Sequence, residues 1–447
     1  MRTDLRLALL LTRGSDRREW WRVTLTAVGA GLATGFALAA AAVASLQGQY
    51  SLSFGNGLLD HPGERQGVVL ALLLLLVPVL GFLGQCARIG AVHRDRRLAG
   101  LRLAGASPAQ VRRIAALEAG LACLAGSSVT TVFAVLFVLG EWRNPPAVAW
   151  TAFAGVAVAV PVLGALVSTL ALRRVVASPL GRVRRVRRKT AEGRGAAFLA
   201  AALVVLVVGI VIAPSAFGGF DTAPPIVFGV VILTGAGAVW VSGFTARLTG
   251  RRLAARTGNP ATLIAAGRLC EDPWVAARTH AAVLLVTVVG TGFIGIRQVL
   301  LDELNGKDRD SLVADVSFYT TGVNLTGAAV LVALAITLSG LAVGTAESLA
   351  TRRRGLAAQV AAGVPRTVLG RALLLETALP LAPAVALAGA GGMAISVWYA
   401  WLAAGPGSVP LLPLLVPVAV YAACLLAAAT SLPLLRRSVR PAELRYA

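Results

Sequence analysis

Few residues in this chain could carry chemistry, and their spacing excludes most reaction classes. Of the 42 basic residues only Lys189 and Lys307 are lysine; Lys189 follows Arg188 and Lys307 precedes Asp308. Neither sits in a Gly-Lys-Ser/Thr loop able to cradle phosphate, so the chain does not hydrolyse ATP by that route. The three histidines, His61, His93 and His280, are scattered and have no spacing suited to zinc or to catalysis. Four cysteines (Cys86, Cys123, Cys270 and Cys424) lie in or beside apolar runs and read as reduced packing residues. A serine nucleophile elbow is missing. No acidic residue stands at the centre of an apolar span, which disfavours a proton- or sodium-coupled carrier. The expectation is a chain without catalytic residues, metal ligands or a bound cofactor.

What remains is a constellation that occurs twice. The first copy reads Arg96-Arg97-Leu98-Ala99-Gly100-Leu101-Arg102-Leu103-Ala104-Gly105-Ala106-Ser107-Pro108, with Glu118 opening the next apolar run. The second reads Arg354-Gly355-Leu356-Ala357-Ala358-Gln359-Val360-Ala361-Ala362-Gly363-Val364-Pro365, followed by Glu376. Gly105 to Gly363 and Glu118 to Glu376 are both separations of 258 residues. Thr34-Gly35-Phe36 returns as Thr291-Gly292-Phe293, and Leu172-Arg173-Arg174 as Leu435-Arg436-Arg437. A repeat this long is a duplicated multi-helix unit rather than a solenoid of small ones.

Local rules give the first copy a shape. Leu98, Leu101 and Ala104 form a stripe with Arg96, Arg97 and Arg102 off it, the pattern of a short amphipathic helix. Gly105 suits its C-terminal cap. Ser107-Pro108-Ala109-Gln110 then reads as N-cap, N1 proline and capping-box glutamine, starting a helix that runs through Glu118. The product is a surface helix hinged to a membrane helix, a lever for a push from outside the bilayer. The second copy keeps Gly363 but puts Pro365-Arg366-Thr367 in place of the cap residues. Glu118 and Glu376 are expected to be salt-bridged anchors, with Arg112, Arg113 and Arg371 as neighbours. Leu5, Leu7, Leu9, Leu10 and Leu11 with Arg2, Arg6 and Arg13 suit an interfacial helix. Asp302, Glu303, Asp308, Asp310 and Asp315 read as a solvated loop.

The elements that position these turns are membrane helices. Hydrophobic residues make up 57% and charged residues 14% of the 447, with mean hydropathy +0.77. A soluble domain carries roughly 25% charged residues. Ten stretches reach the ~20 apolar residues a bilayer core requires: 23–46, 67–90, 114–139, 147–172, 196–213, 225–246, 280–300, 324–346, 372–393 and 410–434. Ala42-Val43-Ala44 resembles a cleavage site, but the apolar stretch before it is too long for a signal peptide and reads as a retained anchor. Of the 42 Lys and Arg, 37 fall in alternate segments (1–22, 88–113, 173–194, 247–279, 352–371 and 436–445). The positive-inside rule then places both termini in the cytoplasm. Spread over six short loops, the net charge of +22 faces anionic headgroups rather than nucleic acid. The fold class expected is an all-α integral membrane protein with ten spans arranged 4+2+4. Its parts are a first four-helix half (1–190), a two-helix linker (191–254) and a second four-helix half (255–447).

The motif Arg-x-Leu-x-Gly-Leu-Arg-Leu-Ala-Gly-Ala-Ser with Glu118 after it resembles the loop of FtsX-like (MacB-type) ABC transporter permeases. Both halves also close on basic residues followed by proline, at Arg173-Arg174 with Pro179-Leu180 and at Arg436-Arg437 with Pro441. The duplicated arrangement is similar to the ten-helix permeases of bacitracin-type peptide exporters. That resemblance implies a cytoplasmic ABC ATPase partner in two copies, which binds the ATP and magnesium that this chain does not. It implies that Leu101, Arg102, Gly105 and Ala106 meet one ATPase copy, and Val360, Gly363 and Val364 the other. It also implies a bacterial cytoplasmic membrane, contact with membrane lipid, and export or extraction of an amphipathic substrate such as a lipid or an antimicrobial peptide. Two departures stand out. No large extracytoplasmic domain interrupts the spans, and Val360 occupies the position matching Arg102. The alternatives are a mechanical transmitter acting on an external hydrolase or sensor kinase, and an ATP-independent carrier.

Overall fold

The computed structural model describes residues 17–46, 59–60, 62–86, 100–141, 145–171, 223–306 and 315–438. All regular structure among them is helical. The chain divides into two compact units, Met1–Arg188 and Lys189–Ala447. In the first, helices α1 (Arg17–Ser45), α2 (Pro62–Cys86), α3 (Pro108–Glu141) and α4 (Ala147–Ala171) are described. The second holds α5 (Ala223–Arg256), α6 (Pro260–Glu271), α7 (Pro273–Gly306), α8 (Val316–Thr351), α9 (Arg353–Ala361), α10 (Arg366–Ala404), α11 (Leu415–Ala429) and α12 (Leu432–Ser438). A 3-10 turn, Leu412–Leu414, leads into α11.

Nine helical segments among the described residues are long and apolar enough to cross a membrane. They fall on nine of the ten expected stretches, an arrangement compatible with a multi-pass membrane protein. The tenth, 196–213, lies outside the described residues, as do Leu5–Leu11, Arg96 and Arg97. Several helices overrun the expected spans because their polar end turns stay helical beyond the apolar core. Thus α7 continues through Asp302 and Glu303 to Gly306, and α8 begins at Val316, just after its N-cap Asp315. Those three acidic residues are therefore on or beside helices rather than in an open loop. Prolines inside helices (Pro78, Pro161, Pro380 and Pro383) are tolerated, since neighbouring helices can satisfy the freed backbone groups.

Both units are built on the same packing order. In the first, α1 packs chiefly on α3, with α2 against α1 and α4 against α3. In the second, α7 packs chiefly on α10, with α8 against α7 and α11 against α10. The central pair approaches closely each time because small residues line it. A methyl group on Gly126 of α3 would overlap the Ala27 backbone of α1, and Gly31 and Gly35 both face Thr130. In the second unit a methyl on Gly392 of α10 would overlap the Val288 carbonyl and Thr291 of α7. Ser396 of α10 is fully buried there and donates to the Thr291 carbonyl at 3.2 Å.

Helix α5 has no counterpart among the described helices of the first unit. It packs on α7 and α10, and its Val231 and Ala238 join Leu284, Val288, Leu381, Val385 and Cys424 in one apolar core. Trp240 of α5 meets Trp274 of α7 edge to face, with ring centroids 5.9 Å apart. The short α6 is capped by Asn259, whose side chain accepts from the Ala261 N–H at 3.0 Å. It lies against α5 and α10, outside the apolar spans.

Candidate functional site

The two copies of the repeated segment fold into the same turn. In the first, residues 100–103 are helical and the chain reverses at Gly105, whose φ is 97°. The Ala106 N–H donates to the Leu101 carbonyl at 2.9 Å, and the Gly105 N–H to the Arg102 carbonyl at 3.1 Å. This 6→1 and 5→2 pair is the Schellman termination, which requires a left-handed residue at the position after the cap. In the second copy Gly363 has φ 91°, the Val364 N–H donates to the Gln359 carbonyl at 3.0 Å, and the Gly363 N–H to the Val360 carbonyl at 3.0 Å. Each of these atoms lies 258 residues from its partner in the first copy. The duplication is therefore kept at the level of individual backbone hydrogen bonds.

The helix that leaves each turn starts differently. In the first copy Ser107 and Gln110 form the expected reciprocal box. The Ser107 N–H donates to Gln110 Oε1 at 2.8 Å, and the Gln110 N–H to Ser107 Oγ at 3.2 Å. In the second, Pro365 caps α10 without a side-chain bond, and its carbonyl accepts from Val368 at 3.0 Å. The hinge survives because the backbone bonds and one glycine suffice to make it. Apolar contacts brace both turns: Leu101 and Ala106 pack on Val111 and Ala115. Val364, with Val360, packs on Leu369 and Leu373, in a cluster that also holds Leu349, Leu356 and Leu435.

The candidate contact residues divide by exposure. Gly105 and Gly363 are exposed; Leu101, Arg102, Ala106, Val360 and Val364 are half-buried. Arg102 turns back on its own loop, with Nη1 donating to the Ala106 carbonyl at 3.3 Å. Its place in the second copy goes to Val360, which serves the turn by packing instead. Leu103 was not singled out by the stripe pattern, yet it is 71% exposed at the helix end. The available signal was an apolar residue lying off the stripe.

The glutamates that follow the turns are both ion-paired, but to different elements. Glu118 on α3 is buried and accepts from Arg22 Nη2 on α1. Glu376 on α10 accepts from Arg352 Nη1 at 2.8 Å and from Arg268 Nε at 3.1 Å. Arg352 joins α8 to α9, and Arg268 lies on α6. The expected neighbour Arg371 is exposed instead. Five residues apart on a helix, it points away from Glu376, since side chains meet at spacings of three and four. Burial lowers the pKa of Arg268 from its ordinary value, and the Glu376 carboxylate opposes that shift. Helix α9 is thus tied to α10 both through the turn and through Arg352 at its N-terminal end. In the first unit the glutamate instead fastens α3 to α1. A scan against protein-family models finds no match to this chain, and a search of curated proteins finds none.

Proposed function

We propose that this chain is the membrane permease subunit of an ABC transporter, coupling ATP hydrolysis in a separate ATPase to movement of an amphipathic substrate. The observation that carries the reading is the pair of glycine turns with matching backbone bonds, each joining a helical segment to a long apolar helix. A single basic juxtamembrane loop needs no such turn, and two that match bond for bond point to two equivalent docking events. In this reading two cytoplasmic ATPase copies bear on residues 101–106 and 360–364. Their closure tilts α3 and α10, which Glu118 and Glu376 tie into their own units. Exposed apolar side chains on α3, among them Phe133 and Phe137, suit direct contact with acyl chains or an amphiphilic cargo. Export or extraction from the bilayer is the activity proposed.

The test is recovery of the tagged chain from its native membrane, with identification and counting of what copurifies. A P-loop ATPase in two copies per chain is expected. Leu103→Asp, at a position whose side chain is mostly in solvent, should lower its recovery about tenfold. Gly105→Trp combined with Gly363→Trp should abolish it. Absence of any ATPase, or full recovery with the double variant, would end the permease reading.

A further inference from the structure

An open groove of about 400 Å³ lies between α6 and α9, lined by Leu263, Ile264, Gly267, Arg268, Glu271, Arg352, Gly355 and Gln359. We propose that it binds the headgroup of a zwitterionic phospholipid of the phosphoethanolamine class, with its phosphate on the two arginines and its amine toward Glu271. The site needs only that the chain sit in a bilayer, so it stands apart from the permease reading.

Position is the first support. The apolar span of α7 begins at Thr279 and that of α8 ends at Thr351, so α6 and α9 lie at the rim of the apolar segments. Headgroups occupy that level of a bilayer. Shape is the second: the volume falls within the range of ligand clefts, about 300–1,000 Å³. A Cβ added at Gly267 or Gly355 would meet no atom within 4 Å, so there is open space beside both walls.

The third support is the balance of donors and acceptors. Arg268 uses Nε and Arg352 uses Nη1 on Glu376, and each guanidinium retains further N–H groups. Those donors suit a phosphate, which guanidinium groups bind through charge-assisted hydrogen bonds. On the other side, Glu271 offers a carboxylate at the exposed rim, where an ammonium can reach it. The formal charges also decide between lipids. Arg268 and Arg352 are offset by Glu376 and Glu271, so the site is neutral and an anionic lipid would add an unbalanced charge. The exposed Leu263 and its neighbour Ile264 give an acyl chain an apolar path out.

The experiment is native mass spectrometry of the full chain in mild detergent, titrated with dioleoyl phosphatidylethanolamine and, separately, dioleoyl phosphatidylglycerol. The native chain should retain one ethanolamine lipid about tenfold more tightly than either Gly267→Trp or Gly355→Trp, which plug the groove from opposite walls. An unchanged unfolding midpoint shows that each variant is folded. Glu271→Lys should shift the preference to phosphatidylglycerol. The proposal is overturned if either folded, plugged variant keeps the lipid, or if the native chain binds the glycerol lipid as well. Displacement by excess free phosphoethanolamine would likewise overturn the assignment to a lipid.

Discussion

Replacing Gly363 by alanine isolates what the duplicated turn demands of the backbone. A Cβ at this position would meet no neighbour within 4 Å, so no collision enters the cost. What remains is conformational. At φ 91° a residue with a Cβ is roughly 1–2 kcal/mol worse than glycine. The unfolded chain loses freedom on gaining the methyl, which returns about 0.4–1 kcal/mol. The net expectation is a destabilisation of about 1 kcal/mol. Gly355, eight residues earlier and inside α9, is the matched control, since its Cβ would also meet open space. There alanine should stabilise by about 0.5–1 kcal/mol, because glycine is the poorer helix former. The same chemical change thus takes opposite signs within one helix-turn segment. Gly105→Ala should repeat the Gly363 result, and the double variant should lose about 2 kcal/mol if the two turns act independently. The assay is denaturant titration in mixed micelles, followed by far-UV circular dichroism. If Gly363→Ala is as stable as Gly355→Ala, the positive φ is not a structural requirement and the equivalence of the two turns is lost.

Two further perturbations examine what surrounds the first turn. Arg22→Met leaves Glu118 buried without its α1 partner and should cost about 3–5 kcal/mol; adding Glu118→Met should recover most of it in the same titration. A single variant as stable as the native chain would mean that the pair does not bind α1 to α3. Ser107→Ala removes the side-chain acceptor at the start of α3 and should cost about 1 kcal/mol, read as earlier unfolding of the first unit.

Much of the architecture was legible because membrane helices announce themselves locally. Runs such as Val68–Val79 and Leu415–Ala428 are too apolar to be anything else, and hydropathy places them without knowledge of their neighbours. The first turn was legible for the same reason: Gly105, Ser107, Pro108 and Gln110 each act within a few residues of themselves. The second turn was harder, since Pro365 caps α10 with no side chain to betray it. What could not be read was long-range. Glu118 finds Arg22 across 96 residues, and Glu376 finds Arg268 across 108. Sequence proximity pointed to Arg371 instead, on the wrong face of its helix. The place of α5 in the core of the second unit was equally hidden, because its apolar run says that it is buried but not against what.

The differing partners of Glu118 and Glu376 bear on why two units share one chain. A homodimer of half-length subunits would present the same patch twice, and any substitution would alter both at once. Fusion removes that constraint. One turn could trade its capping box for a proline and its arginine for a valine while the other kept both. One glutamate could be moored to the first helix of its unit and the other to the segment that precedes its turn. A tandem chain can in this way assign unequal work to two arms of equal shape, and exchanging the two turn segments within it would show whether the arms are still interchangeable.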